Sequence, residues 1–171
     1  MIAPCKNLPS NELIWDWLSA VPDPEIPVIS VVDLGIVRGV SWEEDVLCVD
    51  ITPTYSGCPA TGVIALDIEM ALLKKGLETV KIRSVLSPAW TTAWISEQGR
   101  RKLQDYGIVP PAEGDTCAGM ISLTGAKAAK INCPRCDSSD IERISQFGST
   151  PCKASYRCKN CREPFDYFKA L

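Results

Sequence analysis

Four cysteines stand in two Cys-x-x-Cys pairs, Cys133-Pro-Arg-Cys136 and Cys158-Lys-Asn-Cys161, with 21 residues between the inner two. Two such knuckles place four sulfurs tetrahedrally around one metal ion, and the spacing fits a zinc ribbon. Zinc is the expected metal, although four thiolates do not choose for themselves and iron or an iron–sulfur cluster suits the same ligands. Four protein ligands leave no open coordination position, which points to structure rather than catalysis. A tail of about 40 residues rarely builds a sufficient core unaided, so bound metal is expected to supply much of its folding free energy. Cys152, six residues before Cys158, lacks knuckle spacing. It reads as a plain loop residue, a reserve ligand or a transfer thiol.

A different setting surrounds Cys58 in "TPTYSGCPAT", where an alternating apolar run gives way to a helical pattern. Proline is favoured at the first helical position, because its missing N–H would go unpaired there. With Pro59 in that place Cys58 becomes the N-cap. Its sulfur then faces free backbone N–H groups and the positive end of the helix dipole. That setting lowers a thiol's pKa, and the same turn receives an anionic ligand. A small buried apolar residue filling a corner is the equal alternative. Cys5, Cys48 and Cys117 read as structural thiols. Asp23, Glu25 and Asp33 either gather near the sheet edge or serve ordinary turns, Asp-Pro being a common turn starter. Trp90 and Trp94 read as core rather than as a substrate box.

The elements that must position these groups follow from periodicity. Ile14, Trp17, Leu18 and Val21 recur at helical spacing after Ser10, a suitable N-cap. Three prolines hold residues 21–28 extended. Ile36 to Trp42 and Leu47 to Ile51 alternate on either side of "EED", the pattern of a β-hairpin. The helix after Cys58 shows Val63, Leu66, Met70 and Leu73 as its apolar face and ends at Lys74-Lys75-Gly76. "TVKIRSVL" supplies a third strand through a right-handed crossover, and "WISEQGRRKLQDYG" a last helix. The expected fold is a small two-layer α/β sandwich of order α-β-β-α-β-α, over residues 8–108. A linker at 109–129 then leads to a zinc-ribbon-like four-cysteine module at 130–171.

Composition excludes several chemistries. The chain contains no histidine. A Ser-His-Asp triad, a His-ligated catalytic zinc, a Rieske centre and a Glu-x-x-His di-iron site are therefore absent from it. No apolar run is long enough to span a bilayer, and the N-terminus lacks a signal-peptide pattern, so a cytoplasmic protein with no membrane partner is expected. Residues 1–129 carry ten Lys/Arg against sixteen Asp/Glu, and residues 130–171 carry eight against five. Four metal-bound thiolates would bring the tail close to neutral, which argues against a nucleic-acid-binding ribbon.

"DPEIPVISVVDLGIVRGV" followed by "ITPTYSGCPAT" resembles the small domain of iron–sulfur assembly factors such as SufT. The matching positions are Asp23, Glu25, Asp33, Thr52, Thr54 and Cys58. "LSPAWTTAWISEQGRRKLQDYGI" and "CPRC…FGSTPCKASYRCKNCREPFDYFK" narrow this to a resemblance to the PaaD (PaaJ) family of the bacterial phenylacetyl-CoA epoxidase system. The resemblance implies an accessory role in phenylacetate catabolism, with no catalytic activity of the chain alone. Cys58 would then carry a transient iron or iron–sulfur cluster. The implied partners are the oxygenase and reductase components and the iron–sulfur assembly machinery. A non-catalytic scaffold subunit is the competing expectation.

Overall fold

The computed structural model describes residues 8–55, 57–111 and 131–169. Helix α1 spans Asn11–Ser19, and the Ser10 hydroxyl accepts the Leu13 N–H at 3.3 Å as its N-cap. Its Ile14 and Leu18 are fully buried. Strands β1 (Val37–Glu43) and β2 (Val46–Ile51) form an antiparallel hairpin, turned at Glu44 with φ 57°. Helix α2 (Thr61–Leu73) carries the chain to β3 (Val80–Ser84), which pairs parallel with β2. The strand order β1-β2-β3 is that of a hairpin extended by a β-α-β crossover. Register places Asp50 opposite Arg83, and the Arg83 guanidinium grips the Asp50 carboxylate at 2.6 Å. Helix α3 (Glu97–Asp105), capped by Ser96 and closed by Gly107 at φ +87°, completes the α-β-β-α-β-α order expected of the sandwich.

The buried face of α2 differs from the expected one. Ile64, Ile68 and Leu72 point into the core, whereas Val63, Leu66 and Met70 are exposed. The segment "VIALDIEMALL" is apolar nearly all round, so two stripes at helical spacing compete and the sequence gives little direction. Contact with the sheet decides between them. Trp90 is core, donating its indole N–H to the Leu34 carbonyl at 2.9 Å. Trp94 is half-buried beneath the Arg38 guanidinium, which lies 3.4 Å from the ring centroid.

A second sheet follows. Strand β4 (Ile108–Val109) leaves Gly107 and pairs parallel with β7 (Pro164–Phe168), in the order β4-β7-β6-β5 with β5 at Ile141–Ser145 and β6 at Lys153–Cys158. This sheet is not walled off from the first. Phe168 packs edge-on against Trp90 at 6.1 Å between centroids, and Cys152 and Phe168 belong to the main hydrophobic core. Cys5, Cys117 and the expected linker from residue 112 to 129 lie outside the described residues.

Candidate functional site

The two knuckles are built alike. Cys133-Pro-Arg-Cys136 is followed by Asp137 at φ 57°, and Cys158-Lys-Asn-Cys161 by Arg162 at φ 63°. In each, a left-handed residue turns the chain immediately after the second sulfur. Cys133 N–H donates to the Ser138 carbonyl at 2.9 Å and Cys158 N–H to that of Glu163 at 3.0 Å, fixing both turns. The Sγ atoms of Cys133 and Cys161 lie 3.6 Å apart, as do those of Cys136 and Cys158, and all four lie within 4.8 Å of one another. Four thiolates at about 2.3 Å from one ion stand about 3.8 Å apart in a tetrahedron, so the arrangement fits a single metal. Around it pack Phe165, Tyr156 and Ile141.

Without a cation such sulfurs cannot all ionise. Cys136, receiving the Ser138 N–H, is lowered to about 6. Cys161 is favoured as a thiolate by the Glu163 backbone but is pushed up to about 12 by burial and the neighbouring sulfurs. A dication removes that conflict. The four cysteines are grouped as a set that could hold one metal ion.

The second cysteine site departs from the sequence expectation. Cys58 is not the N-cap of α2. The helix begins at Thr61 with Ala60 as its cap, and Pro59 lies outside it. Instead, Cys58 N–H donates to the Tyr55 carbonyl at 3.1 Å, while its own carbonyl accepts the Thr61 N–H at 3.3 Å and hydroxyl at 2.9 Å. Two successive tight turns thus hold the half-buried thiol. Its pKa is raised rather than lowered: burial comes first, and the Glu25 and Asp23 carboxylates add to it, outweighing the Ala60 N–H and Thr61 hydroxyl. The proline-to-helix junction suggested first-turn N–H groups at a helix N-cap, whereas the thiol's donors are the Ala60 N–H and the Thr61 hydroxyl, and they are outweighed.

Cys58 lines a narrow recess of about 20 Å³ together with Asp23, Glu25, Thr54 and Cys152, walled by Leu34, Phe168 and other apolar side chains. Asp23 Oδ1 accepts the backbone N–H groups of Glu25 at 2.9 Å and Ile26 at 2.8 Å, so it both staples its own turn and faces the cavity. Glu25 Oε2 receives the Cys152 thiol at 3.6 Å. Burial pushes the Cys152 thiol up to about 11. Thr52 is buried immediately after β2, and its hydroxyl has no hydrogen-bond partner among the described residues. The much wider depression of about 770 Å³ beside α3 and β7 has no cysteine among its described lining residues.

Asp33 stands apart from this cavity. Its Oδ2 pairs with Lys102 Nζ at 2.7 Å, its Oδ1 accepts the Ser96 hydroxyl at 2.7 Å, and its N–H donates to Ser30 Oγ at 3.0 Å. Burial pushes its pKa up, but these partners together hold it below the usual carboxylate range. A carboxyl depressed on folding contributes stability above its unfolded pKa of about 3.9, and that contribution is lost as pH falls through the folded value. Asp33→Asn should therefore lower the urea midpoint at pH 7. The gap to wild type should narrow at pH 3; a gap that is constant with pH would show that ionisation of Asp33 adds nothing.

Residues 11–85 match the family described as "Iron-sulfur cluster assembly protein", and residues 120–169 the "PaaD zinc beta ribbon domain". Over 163 residues the chain is 46% identical to an Escherichia coli K12 protein whose name makes it one of the subunits of a "Putative 1,2-phenylacetyl-CoA epoxidase", covering 95% of this chain and 94% of that one. A "Fe-S protein maturation auxiliary factor" of Porphyromonas gingivalis is 37% identical over 98 residues, covering 56% of this chain and 92% of its own length. Among solved structures, a DUF59 domain of unknown function from Bacillus anthracis superposes with TM-score 0.51 at 27% identity, covering 54% of this chain and 90% of that domain.

Proposed function

This chain belongs to the PaaD family of phenylacetyl-CoA epoxidase proteins, and on that premise we propose that it is an accessory protein that helps assemble the iron or iron–sulfur centres of such an oxygenase system. The observation that carries this reading is the Cys58 cavity. A half-buried thiol faces two carboxylates in an otherwise apolar recess, inside the segment that matches iron–sulfur assembly proteins. Thiolate and carboxylate together suit ferrous iron. Cys58 would hold the iron or cluster as cargo, with Thr54, Asp23 and Glu25 shaping the recess. Thr52, just past β2, would support it, whereas Asp33 is held away by Ser96 and Lys102 and takes no part. The recipients would be the oxygenase and reductase components.

The four-cysteine cluster would hold zinc. Two of its sulfurs, Cys133 and Cys158, are buried, and the set is complete without solvent or substrate, so the ion would fix the ribbon and take no part in transfer. No helix among the described residues is long and apolar enough to cross a membrane. A cytoplasmic site of action accords with a thiol-rich chain whose described cysteines form no disulfide.

Cys58→Ser provides the test. The turns at this position are made by backbone atoms, so the variant should fold and keep its ribbon metal. In cells lacking the native copy, it should leave the iron content of the oxygenase system at least about tenfold below wild type, the scale on which metal sites respond to losing even an outer partner. Full restoration by folded Cys58→Ser favours the competing reading, a scaffold without a transfer role. The exposed Val63, Leu66 and Met70 stripe of α2 speaks for that alternative.

A further inference from the structure

The ribbon brings a second thiol to the Cys58 cavity. Cys58 precedes α2 and Cys152 immediately precedes β6, yet both line the same narrow recess and Glu25 lies against Cys152. Building on the assembly reading above, we propose that Cys152 is the second sulfur ligand of the Cys58 site, and that this site takes a single first-row divalent ion of the ferrous class, with Glu25 as a third ligand.

Three observations carry this. First, the residue types form a ligand set: two thiols and the half-buried Glu25 carboxylate, which accepts the Cys152 thiol, line one largely apolar recess. Second, the recess holds a void of about 20 Å³, above the roughly 10–15 Å³ that one water requires, so it has room for one ion as it stands. Two irons with two bridging sulfides would need its walls to part. Third, Cys152 is buried at the base of β6, held by its carbonyl to the Lys169 N–H at 2.9 Å and placed beside Thr150 Oγ1 at 3.1 Å, so its position is fixed by the ribbon. Among the described residues the four ribbon sulfurs form the group of three or more ligand atoms gathered within 4.8 Å. The Cys58, Cys152 and Glu25 atoms thus rest farther apart, and the ion would draw them together. On binding, two S–H bonds give way to two metal–sulfur bonds, two protons leave to solvent, and no electron changes hands.

The experiment uses the full chain with one zinc in the ribbon, titrated anaerobically with Co²⁺. Zinc binds the four-thiolate site more tightly than cobalt does, so cobalt reports the second one. Wild type should bind one cobalt with sulfur-to-metal charge transfer, and X-ray absorption at the cobalt edge should count two sulfurs at about 2.3 Å. Cys152→Ser and Cys152→Ala should each weaken cobalt binding at least about tenfold while zinc content stays unchanged. Undiminished cobalt binding by these variants, or a single sulfur at the wild-type cobalt, overturns the proposal. The wild-type sulfur count decides the matter even if the variants fold poorly. Loss of cobalt in Cys58→Ser but not in the Cys152 variants removes Cys152 and leaves the assembly reading standing. Retention in both removes the ion site altogether. A wild type that takes up no cobalt, but gains a cluster when given iron and sulfide, overturns the single-ion cargo.

Discussion

Removing the ribbon metal should unfold β5, β6 and β7 and open the Cys58 cavity in the same event. The ribbon's own buried cluster is Cys133, Cys158 and Phe165, two of which are metal ligands. Structural zinc in comparable small domains contributes about 10–16 kcal/mol, far more than one buried phenylalanine. Loss of the ion therefore leaves the second sheet little beyond its contacts with the first to hold it. Phe168 and Cys152, however, are part of the main core, and Trp90 packs against Phe168. Withdrawing a fully buried phenylalanine costs of the order of 3 kcal/mol, so the first sheet should survive with reduced stability. Hydrogen exchange after strong chelation, or in Cys158→Ser, should show β5–β7 unprotected and β1–β3 protected. Tryptophan emission should shift to the red, and Cys152 should become open to alkylation. Persistent protection of β5–β7 in metal-free protein would refute the metal's structural role.

The sequence made local relations legible and left distant ones hidden. Ser10, Ile14 and Leu18 announce α1, and the alternation on both sides of Glu43–Asp45 announces the hairpin, because each signal lies within a few residues of its partner. The two knuckles are legible for the same reason, since each Cys-x-x-Cys is a local turn. Asp33, by contrast, resembles its neighbours Asp23 and Glu25 in the sequence, yet its partners Ser96 and Lys102 come from α3 and turn it away from the cavity. Cys152 had no knuckle spacing and no periodic context, so its place beside Glu25 is set wholly by how β6 and β7 dock on the first sheet. Cys58 runs the other way. Its N-cap role, read from Pro59, is not what the structure shows, whereas Asp23 and Glu25, set beside it by the resemblance, do act on the thiol and raise its pKa.

Gly35→Ala should be among the most damaging single changes outside the metal cluster. Gly35 has φ +67°, a left-handed conformation that costs an ordinary residue of the order of 1 kcal/mol or more. A β-carbon there would also lie 2.5 Å from the Trp94 carbonyl oxygen and 2.6 Å from the Trp94 β-carbon. Neither atom can swing aside, because both are fixed by the backbone, so strain and overlap add. A loss of about 3 kcal/mol or more in urea unfolding is expected, and Gly35→Val should be worse because branching at the β-carbon is least tolerated at positive φ. Gly76→Ala is the control: φ there is +92°, but nothing lies within 4 Å of the added carbon, so only the conformational cost remains. Equal losses at the two positions would show that the overlap with Trp94 is relieved at no cost. The change reaches function through its neighbours. Leu34 and Ile36 both line the Cys58 cavity, and the Leu34 carbonyl receives the Trp90 indole N–H. Displacing residues 34–36 should move the cavity's apolar wall against Cys58, so Gly35→Ala should lose cobalt uptake at that site even under conditions where the chain remains folded.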